Sequence, residues 1–158
     1  MMKVQESYMD LAVKEAAEGM KKREGGPFGA VVVLDGKIVG KGHNTVLLSR
    51  DPTAHAEVNA IRDACTNLGT HRLEGAQIYS NFEPCPMCLS AIYWAGIEKL
   101  WYCADRKEAE KAGFMDSHLY GQMCLPESAR TLITGHINSA GMQDLLTDWQ
   151  SMEDKQLY

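Results

Sequence analysis

The chain has 158 residues, a formal net charge of −5 at pH 7, and 45% hydrophobic against 23% charged residues. That is the profile of one soluble globular domain, 1–158, with enough apolar content for a core. No run of about 18 apolar residues occurs, which argues against a membrane span, and the acidic balance argues against a protein whose main work is gripping nucleic-acid backbone.

Met1 to Asp10 carries acids without an apolar core, so it does not read as a secretory signal. From Ser7 to Lys22, the residues Met9, Ala12, Val13, Ala16 and Met20 recur at helical spacing. Ser7 is placed to cap that helix, with Asp10 three residues on, and Gly25-Gly26-Pro27 breaks it. Ala30 to Leu34 is a β-branched run, Asp35-Gly36 is a hairpin turn signal, and Lys37 to His43 reads as the partner strand. Asp51-Pro52 reads as the cap and first position of a long helix. Ala54, Val58, Ile61, Cys65 and Leu68 are its expected inner face, and Gly69 closes it. Ala76 to Asn81 reads as a strand. Pro86 to Ala95 reads as a helix that is apolar almost all round and hence buried. Leu100 to Ala104 is a further strand, Asp105 and Glu108 bracket a helix start, and Gly113 ends that helix. Thr131 to Thr134 is a weaker strand. Ser139 precedes a last helix with Met142, Leu145, Leu146, Trp149 and Met152 on one stripe. This alternation predicts an α/β fold: a three-layer α/β/α sandwich around a central mixed sheet.

Five cysteines, an odd number, with no secretory signal point to a reducing cytosolic setting rather than a disulfide framework. Two segments carry the chemistry: His55-Ala56-Glu57 and Pro84-Cys85-Pro86-Met87-Cys88. Cys85 and Cys88, three apart at a helix start, put both sulfurs on one side of the first turn, where the helix dipole favours thiolates. With His55 they make three zinc ligands and leave a fourth position open for water, the arrangement of a catalytic zinc. Glu57, near the same helix end, is the candidate acid–base group for that water. A Cys-x-x-Cys pair alone also occurs in closed zinc knuckles and in redox sites. A knuckle needs a fourth ligand at paired spacing, which Cys103, Cys124, His43, His71, His118 and His136 do not supply. A redox role leaves His55 and Glu57 unexplained. The combination of His-x-Glu with Pro-Cys-x-x-Cys resembles the signature of the zinc nucleobase deaminases, in which the Glu is the acid–base group and not a ligand.

On these residues the chain resembles the cytidine-deaminase-like zinc deaminases, and among them the bacterial guanine deaminases. The likeness also rests on Gly25-Gly26-Pro27-Phe28-Gly29-Ala30, Gly42-His43-Asn44, Asp51-Pro52-Thr53-Ala54, Ala91-Ile92-Tyr93-Trp94-Ala95, Gly113-Phe114 with Asp116-Ser117, Trp149 and the terminal Lys155-x-x-Tyr158. It departs from the family pattern at Asn81-Phe82 and at Met115. The tRNA adenosine deaminases share the block around His55, so that block does not choose a substrate.

The resemblance implies one Zn²⁺ per chain and hydrolysis of a purine base, guanine to xanthine and ammonia. Guanosine, another aminated ring, or a tRNA adenosine stay open as alternatives. It implies that Asn44 hydrogen-bonds the base, Phe28 stacks on it, Trp94 lines the pocket and Asp116 accepts ring N–H groups. Each has a plainer reading: a turn asparagine, a core aromatic, a buried helix residue and a solvated loop acid. It also implies a homodimer that exchanges a C-terminal segment of about 138–158, with Tyr158 closing a neighbouring site. The acidic charge makes a nucleic-acid partner the less favoured expectation, and the lack of a long apolar run argues against a membrane partner.

Overall fold

Among the described residues, which run from 2 to 157 in a computed structural model, four strands form one sheet. They are β1 (Gly29–Leu34), β2 (Lys37–His43), β3 (Gln77–Phe82) and β4 (Lys99–Ala104), in the order β2-β1-β3-β4. β1 runs antiparallel to β2 and β3, and β3 runs parallel to β4. The β1–β2 turn has Asp35 at φ 51° and Gly36 at φ 74°, the paired positive angles that a two-residue hairpin of this twist requires. β2, β3 and β4 therefore all end at the edge of the sheet where β1 begins.

The chain divides into two compact units, 1–120 and 121–158. In the first, alternate residues of β1 serve opposite faces, as the two-residue period of a strand dictates. Val31 and Val33 pack with Tyr79, Ala12, Tyr8 and Met9, the last three from helix α1 (Met2–Lys21). Ala30 and Val32 pack with Ile78 and with Ala56, Ala60 and Ala64 of α3 (Ala56–Leu68) and Ile92 of α4 (Pro86–Trp94). Helices thus cover both faces, and the α/β/α sandwich with a mixed sheet is the fold observed.

The approach of α3 to β2 is unusually close. A Cβ on Gly40 would lie 2.4 Å from the Ala60 carbonyl oxygen, and one on Gly42 would lie 2.7 Å from the Ala60 nitrogen. This explains why the inner face of α3 differs from the expected one. Ala56, Ala60 and Ala64 are buried, Val58, Ile61 and Cys65 are half-buried, and Leu68 is exposed. Small residues seat the backbone against glycine, and the larger side chains fall on the flanks.

Other expectations are corrected too. α1 begins upstream of Ser7, which lies within the helix instead of capping it. Asp51 does not cap α3; its carboxylate accepts from the Thr53 N–H at 2.8 Å and the Thr53 hydroxyl at 2.7 Å, closing a local turn, and His55 is the N-cap. A four-residue helix, α2 (Val46–Ser49), precedes that turn. On α4, Pro86, Cys88 and Ile92 are buried but Tyr93 and Trp94 are 76% and 71% exposed. α5 (Arg106–Lys111) starts with a capping box between Asp105 and Glu108, as expected, and Gly113 follows it at φ 97°. α6 (Asp116–Cys124) and a 3-10 turn at Glu127–Ala129 were not anticipated.

In the second unit, 131–134 is not a strand: four residues of β propensity have no partner there to complete a ladder. Ser139 precedes α7 (Ala140–Ser151) as expected, and the Met142, Leu145 and Trp149 stripe is exposed. Among the described residues no helix is long and apolar enough to cross a membrane.

Gly40→Ala must push α3 backbone away from the sheet. Overpacking of this kind costs about 1–3 kcal/mol, so a melting curve by circular dichroism should show a Tm lower by roughly 5 °C. A wild-type melt would mean that the α3–β2 contact is loose.

Candidate active site

Both metal-ligand candidates at the helix starts stand just outside their helices. His55 is the N-cap of α3 at φ −73°, ψ 158°, and Cys85 is the N-cap of α4 at φ −66°, ψ 168°, each in extended backbone. Pro86 at the first position of α4 needs no hydrogen-bond acceptor there and presets the helical φ. Cys88, one turn on, is fully buried. The sulfurs lie 3.6 Å apart, and the His55 Nδ1 lies 3.6 Å from Cys85 Sγ and 3.5 Å from Cys88 Sγ. Zinc bonds of about 2.3 Å to sulfur and 2.0 Å to nitrogen at tetrahedral angles would set these edges near 3.8 and 3.5 Å. The triangle fits zinc in size and in donor type. Among the described residues it is the one such group of metal-binding side chains.

The protons follow from this crowding. Hydrogen bonding from Cys88, and then from His55, lowers the pKa of Cys85. Cys88, sharing that proton and buried, is pushed far up, and His55 is raised chiefly by its bond to Cys85. A cation in the triangle would replace the shared proton and hold both sulfurs as thiolates.

Glu57, two residues into α3, is buried and shares the site. Burial pushes its carboxyl pKa up, and the Ser80 hydroxyl donates to its Oε1 at 3.0 Å. Because His55 lies before the helix and Glu57 within its first turn, both reach the same point, which two residues of that spacing could not do mid-helix.

A cavity of about 470 Å³ opens onto this point, at the edge where β2, β3 and β4 end. Phe28, Asn44, His55, Glu57, Cys85 and Asp116 all line it. Phe28 stands edge-on to Phe82 at 5.1 Å and to Phe114 at 4.6 Å. Asn44 is buried, and its Oδ1 accepts from the N–H groups of Val46 at 3.2 Å and Gly26 at 3.3 Å. Those two donors fix the amide's orientation and leave its NH₂ as the group for a ligand. A Cβ on Gly25 would meet the Asn44 Oδ1 at 2.1 Å, so the loop depends on glycine there. Asp116 opens α6, and its carboxyl pKa is raised, first by burial and then by the Cys85 charge.

Trp94 is not among the lining residues: it ends α4, about 13 Å along the helix from the ligand end at 1.5 Å per residue. Tyr158 lies outside the described residues. Sequence reading missed Ser80 as the hydrogen-bond partner of Glu57, and Val46 and Leu47 of α2, Glu83 and Phe114 as cavity wall. Only Glu83, beside Pro84-Cys85, and Phe114, beside Asp116, carried a signal through their neighbours.

Wild-type protein should carry about one zinc per chain by elemental analysis, since three strong ligands converge. Cys88→Ala should lose the metal and melt at lower temperature; a zinc-free protein of undiminished activity and stability would contradict the site.

Comparisons with known proteins agree with the geometry. The family model for the cytidine and deoxycytidylate deaminase zinc-binding region matches residues 2–104. Guanine deaminase of Bacillus subtilis (strain 168) is 42% identical over 153 residues, which is 97% of this chain and 98% of that protein. An X-ray structure of guanine deaminase from Bacillus subtilis matches with a TM-score of 0.92 over 97% of this chain and 98% of that one. A tRNA-specific adenosine deaminase of Aquifex aeolicus is 44% identical over 103 residues, 65% of this chain and 68% of its own length. The likeness to guanine deaminase runs through nearly the whole chain and that to the tRNA enzyme through two thirds of it, so the chain belongs to the cytidine and deoxycytidylate deaminase zinc-binding family as a zinc-dependent aminohydrolase of the guanine deaminase kind.

Proposed function

We propose that this enzyme hydrolyses free guanine to xanthine and ammonia, as a cytosolic step in purine breakdown or salvage. One observation carries the substrate: Asn44 and Asp116 line the same cavity as the metal triangle and Glu57. The Asn44 NH₂ can donate to the guanine carbonyl edge, and the Asp116 carboxylate can accept the guanine N1–H, at an edge where adenine and cytosine carry a bare acceptor nitrogen. No Lys or Arg is among the lining residues, while Glu57, Glu83 and Asp116 are, so a substrate phosphate would meet carboxylates. Phe28 supplies a flat apolar face for the ring.

His55, Cys85 and Cys88 hold the zinc, which when bound lowers the pKa of a coordinated water and so supplies the nucleophile near neutral pH. Glu57 accepts the proton of the attacking water and passes it to ring N3. It then takes up the second proton of that water, left on the oxygen added at C2, and delivers it to the exocyclic amine, so that the C2–N bond breaks, ammonia leaves and the C2 carbonyl forms. Ser80, hydrogen-bonded to Glu57 Oε1, keeps the carboxylate aimed while its proton load changes.

We further propose a homodimer that exchanges C-terminal segments and brings Tyr158 to the partner's site. In the unit 121–158, described by itself, the apolar side chains are exposed, with Ile133 at 98% and Ile137 at 90%. Such residues call for cover by another surface, and exchange of an identical segment is a low-cost route to it.

Ammonia release should be seen with guanine and be absent with adenosine and with a tRNA anticodon stem-loop; the reverse ranking would overturn the substrate assignment. Glu57→Gln should keep its zinc and lose at least about a hundredfold in kcat. Light scattering should report a dimer, and deleting Leu157 and Tyr158 should leave zinc unchanged while sharply reducing guanine turnover. A monomer, or full activity after the deletion, would end the exchange model.

A further inference from the structure

Asn81-Phe82, where the chain departs from the family pattern, plays no part in the chemistry above. Asn81 is buried near the C-terminal end of β3. The β1–β3 ladder runs from Val33↔Gln77 to Ala30↔Ser80 and stops. In that register the next pair is Gly29 with Asn81, and there the side chain takes over from the backbone. Asn81 Oδ1 accepts the Gly29 N–H at 2.9 Å, and its Nδ2 donates to the Pro27 carbonyl at 2.8 Å. These two residues flank Phe28.

The remaining backbone groups of Phe28 are also taken. Its N–H donates to the Gly26 carbonyl at 2.8 Å, and its carbonyl accepts from the Asn44 N–H at 2.9 Å. A primary amide holds its donor and acceptor in one rigid plane. Bonded to the carbonyl before Phe28 and the N–H after it, the amide fixes the peptide planes on either side of that residue. Phe82, next along β3, meets the Phe28 ring edge-on, so consecutive side chains hold the backbone and the ring of one residue.

We propose that Asn81 is a positioning residue that sets the pose of the Phe28 ring against the bound base, and that it governs substrate affinity rather than the chemical step. The proposal rests on the reading that Phe28 stacks on the purine. The zinc ligands stand at the starts of α3 and α4, whereas Asn81 acts on the loop leading into β1. Loss of its two bonds leaves a buried donor and acceptor unmatched, which the loop relieves by shifting, and the ring shifts with it.

Asn81→Leu keeps the number and branching of heavy atoms and removes both bonds. In the zinc-loaded enzyme it should raise the KM for guanine by roughly fivefold and weaken binding of xanthine, the product, by a like factor. Its kcat should stay within about twofold and its zinc content should not change. Phe28→Ala should raise KM by roughly tenfold, within the range of a lost base–aromatic stack. The double variant should show the KM of Phe28→Ala alone, because Asn81 acts only through that ring. A fall in kcat at unchanged KM, or KM effects that multiply in the double variant, overturns the positioning role while leaving the stacking assignment intact. An unchanged KM in Phe28→Ala instead removes the stacking assignment, and the proposal with it. If Asn81→Leu does not fold, Asn81→Asp provides the same cycle, since it keeps the acceptor for Gly29 and lacks the donor for Pro27.

Discussion

Two helices have to begin at the same point in space. His55 and Cys85 each precede a helix, and the 3.5–3.6 Å triangle they form with Cys88 exists only while both starts are pinned. α3 is pinned by its seat on β2, where glycines at 40 and 42 face the backbone of Ala60 and Ala64 at distances that admit no further atom. α4 is pinned by β3, which is paired on both sides and runs into Glu83, whose N–H donates to the Ala104 carbonyl at 2.8 Å. Apolar packing and strand pairing thus set the ligand geometry. Zinc binding adds its free energy to the same arrangement.

The same edge of the sheet supplies the rest of the site. Asn44 follows β2, Glu83 and Cys85 follow β3, and Phe28 precedes β1, so residues distant in sequence become neighbours at the strand ends. This is where ligands gather in open α/β sheets. Placing carboxyls there has a cost that is visible in the raised pKa values of Glu57 and Asp116, both caused first by burial. The N-terminal ends of α3 and α4 offset part of it, since the positive end of each helix dipole faces the thiols and the carboxyl of Glu57.

The metal site was the most legible part of the sequence, because zinc chemistry restricts both residue type and spacing. His-x-Glu and Cys-x-x-Cys carry that restriction in a few letters, and the structure brings His55, Glu57, Cys85 and Cys88 together. The layers and the sheet were legible from periodicity. What escaped depended on contacts between distant segments. The inner face of α3 was misread because the glycines that select alanine there lie on β2. Asp51 has the chemistry of a helix cap, but its carboxylate closes a turn with Thr53 and leaves the cap to His55. Trp94 sits in a motif shared with the family, and nothing local says that the far end of α4 lies away from the cavity. Residues 131–134 have strand propensity without a strand to pair with. Ser80 gave no signal of a role, and Asn81 stood out only as a departure from the family pattern, since each bonds to a residue more than twenty positions away.

The ligand triangle also bears on the life of the protein before its metal arrives. Two thiols 3.6 Å apart at a helix start stand within a small displacement of a disulfide. In the zinc-bound protein both sulfurs serve as ligands, and joining them to each other requires that the metal leave. In the nascent chain an oxidant could join them, and a disulfide there would remove two of the three ligands at once. Metal binding and disulfide formation therefore draw on one pair of sulfurs, and each excludes the other.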